Sequence, residues 1–200
     1  MPRRTTLAVV VVAVAAAVVA VVALAGGGGK GLAPEAATGQ VELVGSGVAV
    51  VPEAERPPLP VFSGRTLDGR ELDLASLRGR PLVLNFWASW CGPCRAEQQG
   101  LELASRTLAG RDVRVVGVNI RDDRGAARSY LKEFGVGYPS LFDRPAVLSA
   151  RLGDLGPQSP PYTLVVDADG RVAAQVFGSL PGGEPRRQAA LLTDLVERVT

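Results

Sequence analysis

The 200 residues contain two cysteines, and they stand together as Cys91-Gly92-Pro93-Cys94. This pair constrains the chain most, because of what flanks it. Pro81 to Ala88, with Leu82-Val83-Leu84 and Phe86-Trp87, reads as a buried central strand. After the pair, the pattern predicts a helix running to about Ala109 and ended by Gly110. Pro93 suits the first helical turn, where its missing N–H would have had no intrahelical partner. The chain must pass from buried strand to helix within a few residues, with both thiols at the junction. Cys91 then sits at a helix N-terminus, where free N–H groups and the positive dipole end favour thiolate over thiol. Cys91 is therefore expected to be the exposed, attacking sulfur. Cys94, one turn later and more enclosed, suits the resolving role. Pro93 also stiffens the loop between them. A Cys91–Cys94 bridge closes so short a loop that it stabilises little by chain entropy, which favours a redox disulfide over a structural one.

The rest of the composition excludes much. There is no histidine, so His-ligated zinc, copper or haem sites and Cys–His or Ser–His–Asp catalysis are ruled out. Two cysteines alone do not make a structural zinc site. No metal and no cofactor is expected. The formal net charge is +2 and aromatic residues are 5%, with no basic stripe, so nucleic acid is not an expected partner.

Arg3 and Arg4 precede an unbroken apolar run from Leu7 to Ala25. As a helix it would be about 28 Å long, close to the hydrocarbon thickness of a bilayer. The basic flank places the N-terminus in the cytoplasm and the chain beyond the apolar run outside. Residues 1–25 are read as an N-terminal signal anchor, giving a single-pass cell-membrane protein. The alternative is a signal peptide cleaved near Ala25, which would leave a secreted or periplasmic domain. Residues 26–56, with Gly26-Gly27-Gly28-Gly29 and Pro34 and Pro52, read as a flexible linker in which Val41–Val44 and Val48–Val51 could form short strands. Residues 57–200 form the expected globular domain.

Within that domain Asp68-Gly69 marks a hairpin. Val113–Ile120 is a second buried strand, and Asp122 or Asp123 caps a helix that runs through Phe134 and closes at Gly135. Ser140–Phe142 is a short strand, followed by a helix near Ala146–Leu152. Tyr162–Val166 and Arg171–Phe177 flank a turn at Asp167–Gly170, which is only weakly a calcium-loop fragment. A last helix spans Glu184–Val199. The order predicts an α/β domain with a central mixed sheet covered on both faces.

Asn85-Phe86-Trp87-Ala88-Ser89-Trp90-Cys91-Gly92-Pro93-Cys94-Arg95-Ala96-Glu97 resembles the active-site segment of the thioredoxin superfamily, above all its membrane-anchored TlpA/ResA/DsbE branch. Arg114–Asp123 and Tyr130–Asp143 resemble the strand–helix insertion of that branch. Pro161-Tyr162-Thr163-Leu164-Val165-Val166-Asp167 resembles the segment bearing the superfamily's cis-proline. The resemblance implies a thioredoxin-like fold and an extracytoplasmic thiol–disulfide oxidoreductase with a Cys91–Cys94 redox disulfide. It implies protein disulfides as substrates, among them apocytochrome c during cytochrome c maturation, a transmembrane electron donor that re-reduces the pair, and a monomer.

The same resemblance assigns supporting residues. Pro161 would be the cis-proline, and Pro160 before it departs from the pattern by removing a main-chain donor. Asn85 stands where thioredoxin keeps a buried acid. Glu97 lies three residues after Cys94, on nearly the same helix side, and matches a glutamate of the branch motif; a surface ion pair with a nearby arginine is its alternative. Trp90 is expected to cover the disulfide and offer an apolar contact surface, and Trp87 to lie in the core. A disulfide-forming oxidase or general redox partner remains the competing function. A peroxidase is disfavoured because Ala88 stands where its Thr or Ser would be, and a copper chaperone because its histidine and longer cysteine spacing are missing.

Overall fold

The computed structural model describes residues 42–43 and 47–199. The predicted membrane segment and most of the predicted linker lie outside the described residues.

Among the described residues, nine strands form two sheets: β1 (Glu42–Leu43), β2 (Val48–Val50), β3 (Ser63–Arg65), β4 (Glu71–Asp73), β5 (Leu82–Trp87), β6 (Arg114–Ile120), β7 (Ser140–Asp143), β8 (Tyr162–Val166) and β9 (Val172–Phe177). The helices are α1 (Gly92–Ala109), α2 (Arg124–Phe134), α3 (Val147–Ala150) and α4 (Pro185–Val199). The main sheet runs β1-β2-β9-β8-β5-β6-β7. β5, β6 and β7 are parallel to one another, and β8, β9, β2 and β1 continue antiparallel. The β3–β4 hairpin is a separate sheet.

Every residue of β5 is buried, as expected for a strand covered on both faces. Its alternation sorts the core. Leu82, Leu84 and Phe86 pack with Leu164, Val116 and Val118 on one face. Val83 faces the other way, into a cluster with Leu101 and Leu108 of α1 and Leu192 and Leu195 of α4. Asn85 and Trp87 share the parity of Val83, and Tyr130 of α2 stacks on Trp87 with ring centroids 4.6 Å apart. The three longer helices thus lie on one face. Phe62, Leu74 and Leu152, from the β3–β4 region and short helical turns, cover the other.

Several boundaries differ from expectation for local reasons. The sheet begins upstream of residue 57, because the short strand expected at Val48–Val51 forms as β2, with Val48 and Ala49 buried, and pairs with β9. The helix near 146–152 is broken into α3 and a 3₁₀ turn at Gly153–Leu155, and Ala146 ahead of it has φ 56°. The Asp68-Gly69 hairpin has a three-residue loop with Gly69 at φ 94°, closed by Thr66 N–H to Arg70 C=O at 2.8 Å. Asp167 spends its carboxylate on Arg171 N–H and on Arg56, which closes the β8–β9 turn.

Gly117 sits opposite Asn85 on β5 and Ser140 on β7. A Cβ there would lie 2.2 Å from Ser140 Oγ and 2.7 Å from Trp87 Nε1. Those two atoms are joined by a hydrogen bond of 3.3 Å that crosses the glycine. Gly117→Ala is therefore expected to cost about 2 kcal/mol through overpacking. Urea denaturation of the variant against the parent checks it; an unchanged midpoint would mean that β7 yields freely.

Candidate active site

β5 delivers the chain to the open end of the sheet, and α1 starts there. Cys91 is the N-cap of α1, and its sulfur accepts a hydrogen bond from Cys94 N–H at 3.1 Å. The two cysteines are joined by a disulfide. Pro93 occupies the exposed first turn. Contrary to the expected exposed nucleophile, Cys91 is only 4% exposed and Cys94 1%. The N-cap geometry and the bridge hold the Cys91 sulfur against the first turn of the helix. What is open beside it is Trp90, 60% exposed, whose indole N–H donates to Arg121 C=O at 3.0 Å.

The Pro160–Pro161 bond is cis. Pro161 is buried and precedes β8, whose Tyr162 pairs with Phe86. The register therefore sets Pro161 beside Trp87, at the end of the sheet from which the cysteine loop departs.

Glu97 is not a surface residue. It is fully buried on the inner side of α1. Arg95, the arginine near it in sequence, pairs with Glu133 instead. Glu97 Oε1 accepts from Asn85 Nδ2 at 3.1 Å, and Oε2 accepts from Leu180 N–H at 2.8 Å. Burial pushes its pKa up to about 7, against the opposing pull of the Leu180 and Asn85 hydrogen bonds. Asn85 also donates to Thr163 Oγ1 at 3.0 Å, while its own Oδ1 has no protein partner among the described residues. The line Thr163–Asn85–Glu97–Leu180 thus ties β8, β5, α1 and the segment before α4 together with buried polar groups, from the same helix turn that carries Cys94.

Residues 54–191 match the Redoxin family. The chain belongs to that family. It is 39% identical over 128 residues to the thiol:disulfide interchange protein DsbE of Escherichia coli K12, covering 62% of this chain and 65% of that protein. It is 29% identical over 128 residues to the thiol-disulfide oxidoreductase ResA of Bacillus subtilis 168, covering 64% and 69%. The chain thus spans slightly less than two thirds of the DsbE relative. Among solved structures, a DsbF homologue from Corynebacterium diphtheriae superposes with a TM-score of 0.69 at 30% identity, over 78% of this chain and 96% of that one. A secreted Mycobacterium tuberculosis disulfide oxidoreductase homologous to E. coli DsbE gives 0.58 at 30% identity, over 68% and 95%.

Within this Redoxin domain, sequence reasoning missed several contacts around the cysteines. Thr163, which the sequence reading did not single out, carried one signal, that of a small polar residue inside the apolar β8. Tyr130, whose O–H donates to Cys94 C=O at 2.9 Å, gave no local signal because α2 meets α1 only in the fold. The aspartates before α2 divide their work. Asp123 caps the helix through Gly125 N–H and Ala126 N–H, whereas Asp122 turns inward to Ser89.

Proposed function

We propose that this protein is a thiol–disulfide oxidoreductase, that Cys91 attacks and Cys94 resolves, and that it works outside the cytoplasm as a reductant of protein disulfides. The observation that carries this is the Cys91–Cys94 disulfide placed at the N-terminus of α1, with a buried carboxyl, Glu97, on the same helix. Attack of the Cys91 thiolate on a partner disulfide forms a mixed disulfide and releases one partner thiolate. Attack of Cys94 on that mixed disulfide releases the second partner sulfur and leaves the Cys91–Cys94 bridge. The partner gains two electrons and two protons, and the pair loses them.

Relatives named thiol:disulfide interchange protein and thiol-disulfide oxidoreductase support the reaction class. The apolar run at Leu7–Ala25 and the secreted relatives support the compartment. The likeness to the TlpA/ResA/DsbE branch supports apocytochrome c as substrate, a membrane electron carrier as donor and an N-terminal anchor. Pro161, Asn85, Trp90 and Pro93 are proposed as the supporting residues of the site. A second reading is a disulfide-forming or rearranging enzyme. It is favoured by the likeness to a secreted thiol-disulfide isomerase of Corynebacterium glutamicum, at 28% identity and a TM-score of 0.67.

The reduction potential separates the two. The expected value lies nearer the about −270 mV of thioredoxin than the about −120 mV of a strong oxidant. Equilibration against glutathione and dithiothreitol buffers, read by tryptophan fluorescence, measures it. A value at the oxidising end would reverse the direction of electron flow.

A further inference from the structure

The turn between β6 and α2 holds a buried carboxylate that the dithiol chemistry does not use. Asp122 is 5% exposed. Its Oδ2 accepts from Ser89 N–H at 2.6 Å and from Asn119 Nδ2 at 2.8 Å. Its Oδ1 accepts from Ser89 Oγ at 2.7 Å and from Asp123 N–H at 2.8 Å. Two of these four donors belong to Ser89, two residues before Cys91. The neighbouring residues repeat the connection, since Trp90 Nε1 donates to Arg121 C=O. Arg121 is held at φ 49°, a left-handed conformation that a residue with a Cβ adopts only when its surroundings impose it.

We infer that Asp122 is a positioning residue for the Cys91 thiol. Through Ser89, and beside the Arg121–Trp90 link, it fixes the two residues that lead into the N-cap. It thereby keeps the Cys91 sulfur on the free N–H groups at the start of α1. That placement matters because the field of a helix end fades within its first turn. A looser Ser89–Trp90 segment lets the sulfur drift from the donors that favour its thiolate. The inference rests on the reading of Cys91 as the attacking sulfur.

Positioning and bare charge act in opposite directions here. Removing a nearby negative charge would by itself favour the thiolate, whereas releasing the segment disfavours it. The test compares the full chain carrying Cys94→Ser with the same protein carrying Asp122→Asn or Ser89→Ala. Iodoacetamide alkylation of Cys91 is followed against pH. Ser89→Ala deletes one donor and leaves Arg95, Glu97, Arg121, Asp122, Asp123 and Tyr130 in place. Both substitutions are expected to slow alkylation at pH 7 by about two- to fivefold, the size of a helix-terminus effect on a thiolate, and to shift the profile to higher pH. Asp167→Asn, which loosens a buried aspartate at the far end of β8, is the control for general destabilisation and is expected to leave the profile unchanged.

Faster alkylation in Asp122→Asn with no change in Ser89→Ala would reduce Asp122 to a charge and overturn the positioning. Equal slowing by Asp167→Asn would overturn it as well. If Asp122→Asn does not fold, Ser89→Ala decides alone. A parent Cys91 no more reactive than a free thiol overturns the attacking role and the positioning with it. A reactive parent thiol that neither substitution changes overturns the positioning alone.

Discussion

Replacing Cys94 with serine is expected to leave Cys91 locked to its protein partner as a mixed disulfide, while Cys91→Ser forms no such adduct. The reason is the asymmetry of the helix start. Cys91 is the N-cap and lies against the first-turn donors, whereas Cys94 is inside the first turn with its carbonyl held by Tyr130. Attack by Cys94 within the same molecule benefits from an effective concentration far above that of any dissolved thiol. Its loss should lengthen the life of the mixed disulfide on the order of a thousandfold or more. Capture from membranes, followed by non-reducing separation and mass spectrometry of the linked peptides, reads this directly. Adducts through Cys94 in the Cys91→Ser protein would reverse the two roles. Apocytochrome c among the captured proteins would support the proposed pathway.

Glu97→Gln is expected to change both the pH dependence of stability and that of the thiol chemistry. In the folded protein burial raises the Glu97 pKa from 4.5 to about 7. Between those values the unfolded chain has lost a proton that the folded protein still holds. The stability linked to Glu97 is therefore fully present below about pH 4.5 and is lost as pH rises through 7. A shift of this size corresponds to roughly 3 to 4 kcal/mol at about 1.4 kcal/mol per unit. Urea denaturation of the oxidised protein at pH 5 and pH 8 should show that loss in the parent and little of it in Glu97→Gln. The same carboxyl is the buried acid nearest in sequence to Cys94, and it can hold or release a proton near neutrality. As it ionises it also disfavours a second negative charge on the pair. The alkylation profile of Cys91 should then lose an inflection near pH 7 in the variant and rise at lower pH. Superimposable profiles would confine Glu97 to a structural role.

Much of the frame was legible in the residues. The CxxC pair at a strand–helix junction, the apolar β5 and β6 patterns, the Gly110 and Gly135 stops and the two Gly-closed hairpins are local signals, set by the periodicity and backbone preferences of short segments. Helix α1 follows that reading from its cap to its end, and α2 does so from Asp123 to Gly135. Edge strand β1 and its neighbour β2 were the weakest of these signals, because such short strands gain their stability from pairing, β1 with β2 and β2 with β9, rather than from composition.

The surroundings of the cysteines belong to the tertiary structure. Spacing alone placed Glu97 on the helix side of Cys94 but left open whether that side met water or protein. The closure of Asn85, Thr163 and Leu180 around it made the carboxyl a buried group and raised its pKa. Likewise nothing local distinguished Asp122 from Asp123 as the cap of α2. Only the docking of the Ser89–Trp90 segment against the β6–α2 turn drew Asp122 inward and left Asp123 to the helix. Secondary structure and the dithiol were written into the sequence because neighbours along the chain decide them. The electrostatic setting of that dithiol was not, because desolvation and hydrogen-bond partners come from residues that only the packed sheet brings together.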